Sequence, residues 1–406
     1  MTRSMRRVIF LVDMNAFFIS CEMSRNPELK GHPAAVAGNP ENRTGIILAA
    51  NYDARAFGVK TTMLIHEAKK ICPGLVLVSP THGLYEQKSG EVMEILSRFT
   101  PVIQQNSIDE AWLDLTGCEG LFGEPLKIAG RIMDEIRNEL DLWCSIGISE
   151  NKFLAKMASD FKKPLGITEL WERDVKQKLW PLKVREMYGI GKQTEKRLNE
   201  IGIMTIGQLA NTDLITLESS FGKYGNELNR LANGIDPSPV TPHPKYESKS
   251  IGRTTTLSKD TSDIEFARSV LLRLAEEVGE EARRYDFKGR TVSIVIRYGD
   301  FKTITRQKTI APSYLTKEIY KAGCELLEVN WDSRKPVRLL GIGLSNIEED
   351  LPDQLSFFDV NEDMPDEIKR EENLERAIDA IRSRFGSDKL KRAKLVDEDR
   401  NKKRNE

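Results

Sequence analysis

Ser107-Ile108-Asp109-Glu110-Ala111-Trp112-Leu113-Asp114-Leu115-Thr116-Gly117 sets two adjacent carboxylates at the head of a segment whose apolar residues alternate. A period of two is the mark of a half-buried strand. Far upstream, the apolar run Val8-Ile9-Phe10-Leu11-Val12 ends on a third carboxylate, Asp13. Three carboxylates on two short strands form an oxygen-donor site for a hard cation such as magnesium, which keeps waters and substrate phosphates in its shell and needs few protein ligands. The histidines point the same way. Only His32, His66, His82 and His243 are present, none paired at ligand spacing, which argues against a histidine-zinc centre.

Three further motifs surround the carboxylates. Asp13-Met14-Asn15-Ala16-Phe17-Phe18 turns from the first strand into a segment, Ile19 to Arg25, that can begin a helix, and amides exposed at such a turn cradle phosphate. Tyr52 and Arg55 stand three apart and so share a helical face, where a hydroxyl and a guanidinium suit a triphosphate. Asn151 to Pro164 reads as an amphipathic helix presenting Lys152, Lys156, Asp160 and Lys163, with Phe153, Leu154, Met157 and Phe161 toward a core. Each lysine on its own reads as part of a solvated face. Two cations about 4 Å apart can activate a hydroxyl, stabilise a phosphoryl centre and neutralise pyrophosphate, so the combination indicates nucleotidyl transfer.

Leu11 to Phe18 (LVDMNAFF), Ala49 to Lys60 (AANYDARAFGVK), Ser107 to Asp114 (SIDEAWLD) and Gly147 to Pro164 (GISENKFLAKMASDFKKP), in that order, resemble the Y-family translesion DNA polymerases, most closely the DNA polymerase IV branch. The resemblance covers roughly residues 7 to 360. It implies an α+β multidomain fold, a right-hand polymerase with a palm (1–20 and 80–169), small fingers (21–79), a helical thumb (170–236), a linker (237–246), a C-terminal α/β little finger (247–346) and a tail (347–406). It also implies two Mg2+ ions held by Asp13, Asp109 and Glu110 with the Met14 carbonyl assisting. Tyr52, Arg55, Lys163 and the Phe17 and Phe18 amides match residues that hold the incoming deoxynucleoside triphosphate, and Phe18 falls at the steric gate against a ribose 2′-hydroxyl. The implied activity is low-fidelity, template-directed extension of a primer in translesion synthesis and repair. Small fingers leave an open base-pair pocket, and the length leaves no room for a proofreading exonuclease. Two positions depart from the pattern: Asn15 where many relatives are acidic, and Ala49 where they carry a hydroxyl.

Past Leu170 the sequence changes character. Tyr188-Gly189-Ile190-Gly191-Lys192, between the helical stretches Leu182 to Met187 and Thr194 to Ile203, looks like a helix-hairpin-helix, whose glycines let amides approach a DNA phosphate without reading sequence. Asp236 to Tyr246 holds four prolines and reads as a stiff tether. Beyond it, Ser250 to Thr256, Arg290 to Tyr298, Lys302 to Thr309 and Pro336 to Leu344 alternate as strands, with helices at Ile264 to Arg284 and Thr316 to Val329. By resemblance this is the little finger, its outer threonines and arginines, Arg253 among them, touching the primer–template backbone. Gln354-Leu355-Ser356-Phe357-Phe358-Asp359 sits in acidic sequence. Apolar side chains with no core of their own suggest a pocket on a partner, and Gln354, Leu355, Phe357 and Phe358 look like a sliding-clamp-binding motif. Glu371 to Gly386 reads as a short helix before a charged end.

The 406 residues suffice for several domains. A formal net charge of −1 argues weakly against nucleic acid, but its distribution matters more: between Lys245 and Arg338 basic residues exceed acidic ones by about five, while Glu348 to Glu375 is acidic. Cys21, Cys72, Cys118, Cys144 and Cys324 form no CxxC pair, as suits reduced core thiols. The amino-terminal apolar run is interrupted by Asp13 and is too short for a signal peptide, and no stretch is long enough for a membrane span. These features place a monomer in the cytoplasm. Two other classes compete: a palm-domain nucleotidyl cyclase, which has no use for a hairpin, a basic module and a clamp motif, and a catalytically silent DNA- and clamp-binding scaffold, against which the intact Asp13, Asp109 and Glu110 speak.

Overall fold

The computed structural model describes residues 6–39, 45–242, 250–347, 366–386, 389–393 and 395. These fall into two compact units, one ending at Tyr246 and the other beginning at Glu247. In chain order the first runs β1 (Ile9–Met14), α1 (Phe17–Arg25), β2 (Ala34–Ala37), β3 (Ile47–Ala50), α2 (Tyr52–Ala56), α3 (Ile65–Ile71), β4 (Val76–Val78), α4 (Leu84–Ser97), β5 (Ile103–Gln105) and β6 (Glu110–Asp114). It continues with α5 (Glu119–Phe122), α6 (Pro125–Leu140), β7 (Cys144–Ser149), α7 (Lys152–Phe161), β8 (Ile167–Glu169), α8 (Lys192–Glu200), α9 (Ile206–Asn211), α10 (Leu214–Phe221) and α11 (Lys223–Ala232). The second holds β9 (Ser250–Thr261), α12 (Ile264–Arg284), β10 (Gly289–Tyr298), β11 (Thr303–Ser313), α13 (Thr316–Asn330), β12 (Val337–Ile347) and α14 (Asp366–Phe385).

The palm is a five-stranded sheet of order β5-β6-β1-β7-β8. Every residue of β1 is buried because both faces of the sheet are covered, which is why the strand reads as a continuous apolar run. Val8, Phe10 and Val12 join Ala111, Leu113, Cys144, Ile146 and Ile148 against Ile95 and Leu96 of α4 and Ile128, Ile132 and Ile136 of α6. Ile9 and Leu11 share the opposite face with Trp112 and with Ala155 of α7. Asp13 therefore belongs to the α7 face, and its register partner across β1 and β6 is Glu110, on the parity of Trp112. A one-residue slip would turn both carboxylates into the helix-covered core. α7 lies very close to β7: a Cβ on Gly147 would stand 1.9 Å from the Ala155 carbonyl oxygen.

The fingers carry a small sheet of order β3-β2-β4 around an alanine-rich core with Val59, Ala68 and Leu75. In the thumb, α9 is capped by Thr205, whose side chain accepts from the Gln208 amide, and α10 by Asp213. The first half of the hairpin differs from the sequence reading. Leu182 to Met187 is not a helix but holds a single 3-10 turn, Val184–Glu186, because Lys183 pairs with Thr205 in a β-bridge. The tether also differs in its described part. Val240 is buried against Ile9, Leu11 and Trp112, Arg7 donates to the Ser238 carbonyl (3.3 Å), and the Phe153 amide donates to Asp236 (3.1 Å), so residues up to 242 are docked on the palm.

The second unit is an antiparallel sheet of order β11-β10-β12-β9 with α12 and α13 on one face. Val292, Ile294 and Ile296 alternate inward with Leu340, Ile342 and Leu344 to meet Leu271, Leu274, Val278 and Ile319. α14 is longer than the short helix read from sequence, and it docks by charge. Arg283 is buried and pairs with Asp379 (2.6 Å) and Glu375 (3.4 Å), while Arg382 reaches Glu276 (3.0 Å). Its apolar residues Leu374, Ile381 and Phe385 stay 60%, 43% and 57% exposed. Among the described residues no helix is long and apolar enough to cross a membrane. None of the five cysteines forms a disulfide; Cys21, Cys72 and Cys144 are buried, and burial pushes the Cys21 and Cys144 thiols up to about 12.

Candidate active site

The carboxylates open into a cleft of about 360 Å³ in the first unit. Asp13 at the end of β1, Asp109 just before β6 and Glu110 at its start all line it, held together by the Met14 amide donating to the Asp109 carbonyl (2.9 Å). The cations paired with these carboxylates are lysines. Lys156 Nζ lies 2.9 Å from both Asp13 Oδ2 and Glu110 Oε1, and Lys163 Nζ lies 2.7 Å from Asp13 Oδ1. Burial alone would push the Lys156 ammonium down, but the Asp13 and Glu110 carboxylates more than reverse it and hold it well above the usual range; Lys163 is raised in the same way by Asp13 and Asp160. Asp109 takes no part, its Oδ1 accepting from Ser107 Oγ (2.6 Å). Among the described residues no three His, Cys, Asp or Glu side chains converge closely enough to hold an ion as they stand.

Lys156 was expected on a solvated face and is 6% exposed. Phe161, expected in the core, is 38% exposed. The burial of Phe153 to Ser159 on every side of α7 explains the first difference: an ammonium inside such a helix needs a carboxylate partner. The run Phe153-Leu154-Ala155-Lys156-Met157-Ala158, apolar but for one lysine, was the signal for it.

Across the cleft, Arg55 stacks its guanidinium 5.0 Å from the Tyr52 ring and donates to the Ala50 carbonyl (2.8 Å). The Tyr52 hydroxyl is buried without a hydrogen-bond partner among the described residues, and burial pushes its pKa up. A buried donor without an acceptor is costly, and a bound phosphate oxygen would satisfy it. Ala16 takes a left-handed conformation (φ 48°) before α1 and no side chain caps that helix, leaving the Phe17 and Phe18 amides at the cleft wall. Asn15 borders the cleft, but its side chain is buried, donates to Ser145 Oγ (3.1 Å) and accepts from the Leu165 amide (2.9 Å). It thus anchors the turn that carries Lys163. Ala49 lines the same cleft.

Phe18 stacks on Tyr85, centroids 4.4 Å apart. Sequence reasoning did not single out Tyr85. Its hydroxyl donates to Glu22 Oε1 (2.7 Å) and accepts from the Thr81 amide (3.2 Å), so the Phe18 ring has a fixed wall behind it. Phe18→Ala is expected to admit ribonucleotides, lowering discrimination against them by ~10- to 200-fold, the range for one group fitted or refused by a pocket, with much smaller loss of deoxynucleotide use. Side-by-side incorporation efficiencies check this; an unchanged ratio would place the gate elsewhere.

Of the residues expected to touch DNA, Gly189, Gly191 and Lys192 belong to the first unit but do not line the cleft, and Arg253 belongs to the second unit. Gly189 has φ +89°, which favours glycine, and its carbonyl accepts from Tyr224 Oη (3.1 Å). Gly191 precedes α8, of which Lys192 is the first residue. Arg253 on β9 shares the parity of Ile251 and Leu257 and is ion-paired with Glu277 and Glu281 of α12, so it is on the helix side of the sheet. The opposite face carries the register rows Thr303, Arg297, Leu339, Thr256 and Thr305, Val295, Gly341, Thr254. The motif from Gln354 through Leu355, Phe357 and Phe358 lies outside the described residues.

Three family models match parts of the chain. Residues 12–160 match the impB/mucB/samB family, residues 248–357 its C-terminal domain and residues 172–203 the IMS family HHH motif. The chain is 56% identical over 400 residues to DNA polymerase IV of Clostridium kluyveri, covering 98% of this chain and 100% of that one. It is 52% identical over 396 residues to DNA polymerase IV of Alkaliphilus oremlandii, covering 97% and 100%. Among solved structures, a chimeric Y-family DNA polymerase superposes with a TM-score of 0.74 at 30% identity, over 84% of this chain and 99% of that one.

Proposed function

The chain belongs to the impB/mucB/samB family of Y-family DNA polymerases, and from that premise we propose how its cleft transfers a nucleotide. It is a low-fidelity, template-directed DNA polymerase of translesion synthesis. The observation that supports the chemical assignment is the in-register pair Asp13 and Glu110 on the α7 face, in one cleft with Asp109, Tyr52, Arg55, Lys163 and Phe18. The donor set suits magnesium: carboxylate oxygens already hold cationic nitrogens at 2.7–2.9 Å, and hard cations take such ligands. Two Mg2+ ions held by Asp13, Asp109, Glu110 and the Met14 carbonyl would activate the primer 3′-hydroxyl and neutralise the leaving pyrophosphate.

The chain's own residues do the rest. Arg55 and Tyr52 orient the triphosphate from the fingers, Lys163 pairs with it from the palm, and the Phe17 and Phe18 amides donate to it at the start of α1. Phe18, backed by Tyr85, excludes a 2′-hydroxyl. Gly189, Gly191 and Lys192 hold the primer–template through its phosphates, and the threonine-rich face of β9, β10, β11 and β12 lies along it. Arg253, on the helix side of β9 and paired with Glu277 and Glu281, is not part of that face. We place the enzyme in the cytoplasm as a monomer recruited by a sliding clamp.

Primer extension tests the reading. With Mg2+ and deoxynucleotides the protein should add nucleotides on a plain template and opposite an abasic site, and without deoxynucleotides it should not shorten the primer. A cyclic nucleotide made without DNA would instead establish the cyclase reading, and DNA binding without extension the scaffold. Tethering to a ring raises local concentration without any new active-site contact. Replacing Leu355, Phe357 and Phe358 together with alanine should therefore leave single-nucleotide insertion unchanged and abolish stimulation by a loaded clamp. An equal response of parent and triple variant would sink the recruitment assignment.

A further inference from the structure

Both oxygens of Asp13 are occupied by ammonium groups, Oδ2 by Lys156 and Oδ1 by Lys163, and Lys156 also bridges to Glu110. These are the oxygens that a metal ion needs. Three carboxylates against two ammonium groups and the Arg55 guanidinium leave the cleft without net charge. One divalent ion added with both lysines still in place brings it to +2, and two bring it to +4. Excess charge of one sign in a partly buried cleft is costly. A triphosphate arriving with the ions carries compensating negative charge and gives the displaced lysines a new partner.

The lysines also have somewhere to go. Asp160, one turn beyond Lys156 at the end of α7 and half-exposed, lies 2.9 Å from Lys163 Nζ and 4.0 Å from Lys156 Nζ. The Tyr188 ring lies 6.0 Å from Lys156 Nζ, within reach of a cation–π contact. Lys156 can thus swing from the carboxylates toward Asp160 and Tyr188 without leaving α7, and Lys163 can swing from Asp13 toward the triphosphate. The Asp109 side chain, which accepts from Ser107 Oγ, takes no part in this exchange.

We infer that Lys156 and Lys163 are place-holding cations: they occupy the metal-binding oxygens of the empty enzyme, so that metal loading is coupled to arrival of the triphosphate rather than preceding it. This rests on the reading that Asp13, Asp109 and Glu110 bind the metal. Lys156 is a positioning residue in this scheme, keeping the carboxylates in register when no ion is there.

Mn2+ binding, read from the electron paramagnetic resonance signal of the free ion, tests the inference without any turnover. Wild-type protein alone should bind Mn2+ weakly. With a dideoxy-terminated primer–template and a non-hydrolysable deoxynucleoside triphosphate it should retain Mn2+ beyond what the nucleotide alone holds. Lys156→Met should bind Mn2+ in the absence of nucleotide at least tenfold more tightly than wild type, and its melting temperature, lowered without metal, should recover on adding Mn2+. Lys163→Ala, less buried, frees one oxygen and should tighten binding by a smaller factor, so the inference remains testable if Lys156→Met does not fold. Affinity unchanged or weakened in the folded lysine variants overturns the place-holder role. Asp109→Ala retaining as much Mn2+ as wild type in the ternary complex overturns the metal assignment instead, whatever the lysine variants do.

Discussion

Asp109→Ala should bind primer–template as wild type does and extend it about 10³-fold or more slowly. Among the described residues the Asp109 side chain bonds Ser107 and neither lysine, so its removal leaves the lysine-held pair of Asp13 and Glu110, and with it the local fold, undisturbed. What is lost, on the proposed assignment, is a metal ligand. Metal stabilisation of a developing phosphoryl charge is worth several kcal/mol, and each ~1.4 kcal/mol is a factor of ten in rate. The DNA grip proposed above lies in the hairpin and the second unit. Single-turnover extension beside a DNA-binding titration decides the matter: a rate within tenfold of wild type would remove Asp109 from the catalytic set.

Gly147→Ala should produce a protein that fails to accumulate folded, or that melts more than about 10 °C lower. The added Cβ would meet the Ala155 carbonyl oxygen at 1.9 Å and the Ser159 amide nitrogen at 2.5 Å. Both are backbone atoms in the middle of α7, so nothing flexible can yield. Overpacking typically costs about 1–3 kcal/mol and more where the backbone must move, with about 2–4 °C lost per kcal/mol in a domain of this size. Because α7 carries Lys156, partial accommodation would also shift that ammonium from the carboxylates. Gly130→Ala in α6 is the control, since nothing lies within 4 Å of its Cβ; helix propensity alone predicts a gain of about 0.5–1 kcal/mol. Melting curves of the two variants should move in opposite directions.

The palm was legible because its strands are apolar on both faces or alternate cleanly: the run from Val8 to Asp13 and the alternating segment after Ser107 correspond to β1 (Ile9–Met14) and β6 (Glu110–Asp114). Long-range pairing was less legible. Nothing local in Leu182 to Met187 announces that Lys183 will bridge to Thr205, and nothing in the proline-rich tether announces that Val240 will fill the palm beside Trp112. In the site, the carboxylates could be read because acidic residues at strand ends are unusual. Lys156 could not, since whether a helix lysine is solvated depends on what packs around the helix. The wall behind Phe18 escaped for the same reason: Tyr85 reaches it from α4, far away in sequence.

α14 turns its charged side inward and leaves Leu374, Ile381 and Phe385 outside, and no apolar side chain of it whose burial is described joins the core of the second unit. The heat capacity of unfolding and the slope of stability against denaturant both measure the apolar surface that unfolding exposes. Release of this helix would expose very little. It would be nearly invisible in a calorimetric baseline and almost independent of urea, yet it would respond to ionic strength at those pairs that water reaches, such as Lys317 with Glu371. The carboxyl-terminal helix is thus fastened by a thermodynamic currency different from the one that holds the sheet beneath it.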